Sequence, residues 1–523
     1  MANEVILNFT GGKNDSLDPD RLQQNEVADV LNMRPNATGN VVNRDGIASV
    51  VANDNTTYSG GFTSEFEATL SSGTTRTILT HGNNFYYLNG STPTLLTKTV
   101  SVENTSGAQY RWVFFNDLFI GVSRAGTKPV KWNGNPASDV DVLDVGTSGI
   151  VGGGVGPIDL AVWNRRLAVC QGTELFISDA ETAEEWDTGD SNVFRFRGER
   201  GGEEKINALF DFQGTLIVFK KNNGIWGIEP GEGVSNSFNI KQIGHSVGCD
   251  APYSIADLGR DLIWFHRSGF NTMSDLRDQG GLLPNGRVSK KIYRTVISQV
   301  NYSRIEQVVG VYNPDLDEYL VTLPVGSSQT TNNYVLRLDT EWTKNNQSPS
   351  WWVYQYAQEF RSLFIRPSQG ISRIYGATHL GGIFQLNVGT ADVGVGYIKS
   401  LKTRRFTLGA PQANKFLNTL FVDLYQDESF NVTINCYLDQ ERRRKTFTAN
   451  VRGGAAVYDV SSYDSGATYA GATTGIEKRN VGKVSRDFQL EVYTTNSSGT
   501  FAINKFIQEY ETMDDDLQST MSG

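Results

Sequence analysis

A short apolar strand followed by a polar turn recurs along the chain, and this repeat constrains the fold more than any other feature. The last apolar residue of each strand can serve as an anchor, and the anchors are Leu88, Trp132, Ile177, Ile228, Met273, Leu338 and Leu386. Consecutive anchors are 44, 45, 51, 45, 65 and 48 residues apart. A spacing of this size accommodates four short strands, which is the period of a β-propeller blade.

A second series of leucines lies upstream of the anchors, each after a short polar turn. Its members are Leu118, Leu167, Leu216 and Leu262, spaced 49, 49 and 46 residues apart. Two hairpins per unit therefore repeat together, although the units are degenerate and carry neither a WD nor a kelch signature. The sequence predicts an all-β chain with a β-propeller of about seven four-stranded blades over residues 61–390.

The 65-residue step between Met273 and Leu338 predicts an insertion between two blades. Within it, Val288, Ile292, Val296 and Val300 follow one another at every fourth position. This stripe is typical of one face of a helix, and Ser289 is placed to cap its N-terminus.

The two ends of the chain lack the blade rhythm. Residues 1–60 are expected to form an N-terminal arm that belongs to a platform domain. Residues 391–512 alternate apolar and polar side chains, for example over 416–425 and 430–437, which predicts a C-terminal antiparallel β-sandwich or platform. Residues 513–523, with three consecutive aspartates, are expected to be a disordered tail.

Composition narrows the class of function. Lys plus Arg is 47 and Asp plus Glu is 57, so the net charge is −10, which argues against a protein that grips nucleic acid by its phosphates. The three cysteines, Cys170, Cys249 and Cys436, are far apart, which predicts buried free thiols in a reducing compartment. No secretory signal and no run of about 18 apolar residues is visible, so we expect a soluble protein made in a cytoplasm.

One pattern raises the question of a hydrolase. Residues 244–248 read Gly-His-Ser-Val-Gly, which matches the nucleophile elbow, with Ser246 as the nucleophile. The elbow requires a strand, a sharp turn and a helix, but the residues after Gly248 do not begin a helix, and a turn between blades fits better. Only His266 and His379 lie downstream to complete a triad.

Other chemistry-bearing motifs also have simpler explanations. The histidines, His81, His245, His266 and His379, have no metal-binding spacing. The glycine-rich stretches 152–156 and 394–400 lack the features of a phosphate loop. Residues 315–318, which could hold calcium, are better read as a hairpin turn. We therefore expect no enzyme activity, no catalytic, cofactor-binding or metal-binding residue, and no cofactor.

Two further clusters have open alternatives. The basic run Arg442-Arg443-Arg444-Lys445 could contact nucleic acid, but a solvated hairpin or pairing with acidic residues of a partner chain fits better. The pair Trp351-Trp352 could stack on a sugar, but its strand context favours the core of a blade.

Residues in three parts of the chain carry a resemblance to a known family. In the opening they are Gly11-Gly12, Pro19, Leu22, Glu26, Leu31-Asn32, Gly39 and Arg44-Asp45-Gly46. With residues 247–255, 262–265 and 268–270 of the central part, their order resembles that of tail proteins from short-tailed bacteriophages. Residues 488–491, 501–503 and Glu509 resemble the C-terminal strands of that family. Within the group, the chain resembles the tail nozzle proteins, also called tail tubular or tail accessory proteins.

The resemblance implies a propeller beside a platform built from both chain ends. It further implies a homo-oligomer, a six-membered ring beneath the portal and its head-to-tail adaptor, with tail fibre, spike or needle proteins as further partners. Double-stranded DNA would pass through the lumen without specific binding, and the protein would reside in the virion tail. The alternative is a propeller module of a virion that binds a glycan or a receptor.

Overall fold

A computed structural model of the chain describes residues 2–6, 8–103, 107–196, 204–232, 237–245, 247–274, 287–294, 296–368, 370–409, 411–426, 430–449, 474–497 and 499–513. The tail predicted at 513–523 lies outside these residues, except for Met513. The N-terminal part contains six strands, β1 (Ala2–Ile6), β2 (Gly12–Lys13), β3 (Glu26–Leu31), β4 (Met33–Pro35), β5 (Val41–Asn43) and β6 (Ile47–Val51).

Seven antiparallel sheets then follow one another along the chain. Sheet one contains β7 (Ser64–Thr69), β8 (Thr75–His81), β9 (Asn84–Asn89) and β10 (Thr92–Leu96). Sheet two contains β11 (Tyr110–Phe115), β12 (Leu118–Ser123), β13 (Val130–Trp132) and β14 (Asp141–Val142). Sheet three contains β15 (Asp159–Trp163), β16 (Arg166–Gln171), β17 (Glu174–Ile177) and β18 (Asn192–Arg195). Sheets four and five contain β19 (Ile206–Phe212), β20 (Thr215–Lys220), β21 (Ile225–Pro230) and β22 (Phe238–Gly244); and β23 (Ala251–Asp257), β24 (Leu262–His266) and β25 (Gly269–Thr272).

Sheets six and seven complete the series. They contain β26 (Val309–Asn313), β27 (Glu318–Leu323), β28 (Tyr334–Asp339) and β29 (Ser350–Tyr354); and β30 (Phe360–Ser368), β31 (Ile371–Thr378) and β32 (Ile383–Leu386) together with β6. The first strand of each sheet packs beside the first strand of the next, and β30 packs beside β7. The seven sheets therefore close into a ring around a central channel, and the predicted propeller is confirmed.

The final sheet is completed by the N-terminal arm. Strand β6 pairs with β32 in antiparallel register, with Leu386 opposite Ile47. The propeller therefore begins before residue 61, where the sequence analysis placed its start. The reason is that a fourth strand taken from the other end of the chain closes the ring by backbone hydrogen bonds.

Tight turns explain the regular spacing within the sheets. Asn116 and Asp117, between β11 and β12, both have positive φ values, 50° and 58°. Two consecutive residues in this region form the hairpin turn whose twist matches that of paired strands, and Asn and Asp tolerate it better than most side chains. The leucine after each such turn begins or closely follows the start of the second strand of its sheet.

The insertion adopts a different structure from the one predicted. Instead of one helix, the described residues form three short 3-10 helices, Arg287–Ile292, Ile297–Gln299 and Tyr302–Gln307. Ile292, Val296 and Val300 are buried as the stripe predicts. The Ser289 hydroxyl accepts a hydrogen bond from the Phe270 backbone N–H at 2.9 Å, so it ties the insertion to β25. β-branched residues disfavour a long helix, and packing against sheet five decides the backbone.

The remaining strands form a sandwich of two six-stranded sheets with the arm. They are β33 (Tyr397–Phe406), β34 (Lys415–Gln426), β35 (Val432–Leu438), β36 (Arg443–Ala449), β37 (Thr474–Ser485), β38 (Phe488–Ser497) and β39 (Phe501–Thr512). One sheet has the order β37-β34-β39-β5-β4, with β1 also paired to β39, and the other has the order β2-β3-β33-β38-β35-β36. The platform is thus built from both ends of the chain.

One hydrophobic core joins the sandwich to the propeller. Leu420 and Ile434 from the two sandwich sheets belong to the same buried cluster as Trp352 and Leu386 from sheets six and seven. The α-helix α1 (Thr340–Asn346) connects β28 to β29. Its N-cap is Asp339, whose carboxylate accepts from the Trp342 backbone N–H at 2.9 Å.

Candidate functional site

A buried ion pair stands where the propeller meets the sandwich. The guanidinium of Arg44 donates to both carboxylate oxygens of Asp392, at 2.7 and 2.8 Å, and each side chain is only 1% exposed. The rings of Tyr356 and Tyr397 lie on the guanidinium, each with its centroid 3.8 Å from Cζ. We call these four residues and Asn32 the junction cluster. Its cation is fully paired and covered by aromatic rings, which suits arginine better than lysine.

Asn32 completes the cluster from the connection between β3 and β4. Its side-chain oxygen accepts from Arg44 Nε at 2.9 Å and from the Gln355 backbone N–H at 2.8 Å. Its amide nitrogen donates to the Ile398 carbonyl at 2.7 Å. Burial alone would lower the pKa of Arg44, but Asp392 and the two tyrosines outweigh it and raise that pKa. The cluster therefore joins four inter-strand connections, which are β3–β4, β5–β6, β29–β30 and the β32–β33 connection between the propeller and the sandwich.

The glycines around this region are required by close backbone approach. A Cβ on Gly46 would lie 2.0 Å from the Ala391 carbonyl oxygen, closer than any side chain can be. Gly12 has a φ of 69°, and a Cβ there would lie 2.6 Å from the Trp351 carbonyl oxygen. Gly12 and Gly46, two of the residues that carried the resemblance, thus allow the arm to approach the backbone at Trp351 and Ala391.

A second charged cluster lies in the propeller channel. Arg111, on the inner strand of sheet two, pairs with Asp159 of sheet three at 2.9 Å. It also donates to the Pro252 carbonyl at 2.8 Å and lies 4.6 Å from the ring centroid of Tyr253, both in sheet five. Sheets two and five are not neighbours in the ring. The Arg111 side chain therefore crosses the channel and obstructs it.

Other side chains reinforce this obstruction. Arg124 donates to the Asn207 side-chain oxygen at 2.7 Å and to its carbonyl at 2.9 Å. The Asn207 amide in turn donates to the Cys249 carbonyl at 2.7 Å, so sheets two, four and five are linked. Burial raises the pKa of the Tyr253 hydroxyl and keeps it protonated. We call Arg111, Asp159 and Tyr253 the channel cluster.

A cavity of about 360 Å³ occupies another part of the channel, between the inner strands of sheets one, five, six and seven. Acidic groups in its lining include Glu65, Glu67 and Asp257. Burial raises the pKa of Glu65 to about 7, against the opposing effects of a hydrogen bond from the Ser362 hydroxyl and the charge of Arg361. A proton on Glu65 near neutral pH is the chemical property that sets this cavity apart.

The hydrolase pattern does not form an elbow. Gly244 ends β22 and Ala251 begins β23, and the described residues between them, 245 and 247–250, belong to the connection between sheets four and five, as the blade-turn interpretation predicted. Ser246 itself lies outside the described residues. His266 Nδ1 lies 2.8 Å from the Ser268 hydroxyl and Nε2 lies 3.7 Å from Asp250 Oδ2.

That arrangement around His266 is occupied by an ion pair. The Asp250 carboxylate accepts from Arg267 side-chain nitrogens at 2.9 and 3.1 Å and from the Arg267 backbone at 2.8 Å. Burial lowers the pKa of His266, and Asp250 opposes that shift. Ser268 is two residues away on the same hairpin turn, so the contact is local rather than one that the fold assembles from distant segments.

The other residues that the sequence singled out take structural positions. Trp351 and Trp352 are fully buried on β29, which confirms the blade core. Residues 315–317 form the turn between β26 and β27, where Asn313 faces Glu318. The three cysteines are buried and free. In the described ranges no group of three or more His, Cys, Asp or Glu side chains is placed to hold a metal ion.

The basic run opens an edge strand of the sandwich. Arg443 and Lys445 on β36 donate to backbone carbonyls of β37, the Lys445 ammonium at 2.7 Å to Asn480 and 2.8 Å to Val481. Arg479 on β37 donates back to the Thr448 carbonyl at 2.9 Å. These cations cover carbonyls that two sheet edges would otherwise leave open, which is one way in which proteins prevent edge-to-edge association.

Sequence reasoning missed the roles of Arg111 and Asp159. Arg111 stands in a strand of aromatic residues and Asp159 at the head of an apolar one, and a charge in such a position is a usable signal. Their partner Pro252 is 141 positions from Arg111 in the sequence, so the contact itself could not be inferred. No helix among the described residues is long and apolar enough to cross a membrane.

The likeness of this chain to known proteins is distant and confined to solved structures. No protein-family model matches the chain, and no curated protein matches it. Among solved structures, the chain is similar to the Pan2 WD40 domain of Neurospora crassa, with 7% identity and a TM-score of 0.38 over 66% of this chain and 94% of that one. It is also similar to the dihydro-heme d1 dehydrogenase NirN, with 12% identity and a TM-score of 0.38 over 65% and 73%. Raptor of Chaetomium thermophilum gives 12% identity and a TM-score of 0.43 over 68% of this chain and 30% of that chain.

Proposed function

We propose that this chain is a tail nozzle subunit of a short-tailed bacteriophage, a structural virion protein without an active site. The observation that carries the proposal is the sandwich, which takes strands from both ends of the chain and lies beside the propeller. The family resemblance of the sequence implies that same arrangement. The resembling residues at the start of the chain, Asn32, Arg44 and Gly46 among them, hold the two parts together.

A nozzle subunit must keep its parts in fixed relation while the genome leaves the particle. The bidentate pair of Arg44 and Asp392 and the core shared by propeller and sandwich favour such rigidity. A rigid subunit would keep the shape of the ring constant, and in this proposal the function of the ring depends on its shape.

In this proposal the channel cluster limits the path that the duplex could take. Because Arg111 crosses the propeller channel, the DNA would run through the opening of the subunit ring and not through a propeller. A net charge of −10 favours passage without specific binding, since phosphates would be repelled rather than held. In this proposal six subunits form the ring, the head-to-tail adaptor binds one end, and tail fibre, spike or needle proteins bind elsewhere on the tail.

Immunogold electron microscopy of intact particles from the source of the chain tests the proposal. An antibody against the purified chain should label the distal tip of a short tail, and pre-immune serum should label nothing. Absence of label from every particle, or label on a capsid face, would overturn the nozzle assignment.

A glycan-binding propeller is the second candidate, and one pocket favours it. A pocket of about 610 Å³ is lined by Lys221, Arg267, Tyr293 and Tyr302 beside the insertion. Tyr293 is 46% and Tyr302 38% exposed, and Arg267 is held in place by buried Asp250. Exposed aromatic faces beside a fixed hydrogen-bond donor are typical of sugar sites.

A glycan array separates the two candidates. The glycan-binding module requires selective binding that Tyr293→Ala abolishes, while Tyr87→Ala, a change of a partly buried tyrosine in sheet one, leaves it unchanged. The nozzle proposal expects no selective binder for either the natural chain or the variants.

A further inference from the structure

Two buried polar side chains, one from the N-terminal arm and one from the insertion, meet on one buried carboxylate. Glu26, at the start of β3, is 2% exposed. One of its oxygens lies 2.9 Å from the ammonium nitrogen of Lys291, in the first 3-10 helix of the insertion. Its other oxygen accepts from the side-chain amide of Asn14 at 2.9 Å. The carboxylate therefore bridges an amine and a carboxamide, both of which are buried as well.

The carboxamide of Asn14 is polarised by two donors. Its Oδ1 accepts from the Ser16 backbone N–H at 3.1 Å and from the Ser16 hydroxyl at 2.7 Å. Two hydrogen bonds on one carbonyl oxygen withdraw electron density from the carbon and stabilise the negative charge that develops when a nucleophile adds to it. The Asn14 carbonyl carbon is thereby prepared for attack.

The amine of Lys291 is held in place by a second acceptor. Its Nζ donates to the Gly11 carbonyl at 3.1 Å as well as to Glu26. An ammonium must lose a proton before its nitrogen can attack, and the Glu26 carboxylate is in contact to take that proton. Because the fold already holds the nucleophile, the base and the electrophile in place, the reaction does not have to bring them together, and the entropic part of its barrier is lower.

We propose that Lys291 and Asn14 join in an intramolecular isopeptide bond, with Glu26 as the proton carrier. Glu26 takes a proton from Lys291 Nζ, whose lone pair attacks the Asn14 side-chain carbonyl carbon. The new C–N bond forms, and the C–N bond to Asn14 Nδ2 breaks after the Glu26 carboxyl protonates that nitrogen. The Glu26 carboxylate then takes the second proton from the attacking nitrogen and passes it to the departing ammonia. The products are a secondary amide and one ammonia, which leaves as ammonium, so no oxidant, reductant or cofactor is needed.

The bond would fasten the N-terminal arm to the insertion between sheets five and six. The three cysteines of the chain are free. A covalent link made without redox chemistry can therefore form and persist in a reducing compartment, where disulfides are rare. Such a link would constrain the unfolded chain across most of the propeller, in the way that a disulfide closing a long loop does.

The chain contains a comparable trio that serves as an internal control. Asp423 accepts from the Asn504 amide at 3.1 Å and lies 3.7 Å from the Lys505 ammonium. Here the lysine side chain is 35% exposed, so water solvates its charge, and the asparagine is its neighbour in sequence. A carboxylate, a carboxamide and a lysine are again in contact, but the lysine is less buried than Lys291 and lies farther from the carboxylate, and no bond is expected between them.

Peptide mapping of the full-length protein tests the proposal. After denaturation and proteolysis, mass spectrometry should detect a branched peptide that contains Asn14 and Lys291 and has lost one ammonia. Intact mass should be lower than the sequence requires by the same loss, and reducing agents should not restore it. The peptides around Asn504 and Lys505 should have no such loss.

Variants distinguish the reaction from an ordinary ion pair. Lys291→Arg keeps the positive charge but should abolish the branched peptide, Glu26→Gln should do the same, and Lys505→Arg should leave it fully formed. Circular dichroism identifies variants that fail to fold, and Lys291→Arg is informative if Glu26→Gln is one of them. Separate, unmodified peptides from the folded natural chain would overturn the proposal, as would a branched peptide that persists in folded Glu26→Gln.

Discussion

The propeller and the sandwich use the same kind of strand in opposite ways. Sheet two of the propeller consists of four consecutive strands, β11 to β14, and five other sheets also take all their strands from one stretch of chain. Each sheet of the sandwich instead combines strands from the two chain ends, as when β5 pairs with β39 and β3 with β33. Strand pairing is thus mostly local in the propeller, whereas in the sandwich it joins strands from opposite ends of the chain.

This difference makes the N-terminal arm the part on which the whole structure depends. Its first five strands belong to the sandwich and its sixth closes the propeller ring. Local sheets form without reference to distant residues, whereas long-range pairing must first pay the entropy of closing long loops. The contacts that fix the arm therefore matter more than contacts of similar kind within a blade.

The largest effect is expected from Arg44→Ala in the junction cluster. The change leaves Asp392 buried without its cation and removes the side chain between Tyr356 and Tyr397. Loss of one partner of a buried pair costs about 3–5 kcal/mol, so the free energy of unfolding should fall by that amount. Denaturant unfolding followed by tryptophan fluorescence measures it.

A neighbouring ion pair provides the matched control. Arg34 pairs with Asp45 at 2.9 Å, with side chains 30% and 38% exposed. Arg34→Ala should cost about 1 kcal/mol or less because water replaces the lost partner. Equal losses for Arg34→Ala and Arg44→Ala would contradict the special role of the junction cluster.

Two leucine substitutions then compare the parts directly. Leu216 in sheet four and Leu420 in the sandwich are both fully buried, and each change to alanine should cost about 2–4 kcal/mol. The two variants should differ in how far faster amide hydrogen exchange spreads from the substituted residue. A blade contacts mainly its neighbouring blades, whereas the sandwich shares the N-terminal arm with the propeller.

The expected exchange patterns are distinct. Leu216→Ala should accelerate exchange in sheets three to five alone, while Leu420→Ala should accelerate it throughout the sandwich and also in β6. If exchange in β6 is unchanged by Leu420→Ala, the arm does not couple the two parts.

The same contrast decides what the sequence could predict. Six of the seven anchors lie on the third strand of a sheet and Met273 immediately follows one, so periodicity located every blade. Tight turns such as Asn116-Asp117 leave a signal within a few residues. Burial of Trp351 and Trp352 was predictable for the same reason, since the apolar residues of a strand by themselves indicate that the strand is buried.

Long-range pairing leaves no such local signal. The five residues of β6 say nothing of their partner β32, which is more than 330 positions away. The channel contact of Arg111 with Pro252, the shared carboxylate of Glu26 and the junction of Arg44 with Asp392 have the same character. The chemical type of each side chain could be read from the sequence, but the contacts between residues that are distant in the sequence could not.

A smaller effect is expected from Glu65, the proton-binding group of the channel. Its pKa is raised to about 7 in the folded protein, against about 4.3 for an ordinary glutamate. Between these values the folded state binds more protons than the unfolded state, so stability is full below about pH 4.3 and falls as pH rises through 7. Because the group is only partly shielded, we expect a loss of about 1–2 kcal/mol between pH 5 and 8.

Glu65→Gln isolates that contribution. The difference in unfolding free energy between the natural chain and the variant should change with pH in the stated direction, and other titrating groups cancel in it. One of them is His379, whose pKa burial lowers to about 4 and which therefore destabilises the fold on acidification. A pH-independent difference would show that Glu65 has an ordinary pKa and that the channel holds no unusual proton.

The smallest effect concerns the sandwich edge and marks the limit of the comparison. Lys445→Ala removes two hydrogen bonds to β37 carbonyls, and Arg444→Ala changes the next residue of the same exposed strand. We expect Lys445→Ala to cost about 0.5–1 kcal/mol and Arg444→Ala less, because exposed cations contribute little. Light scattering should nevertheless show faster association of Lys445→Ala, since carbonyls left open at an edge recruit other strands. Equal association of both variants would mean that Lys445 is not what protects this edge, and that the basic run acts only through its charge.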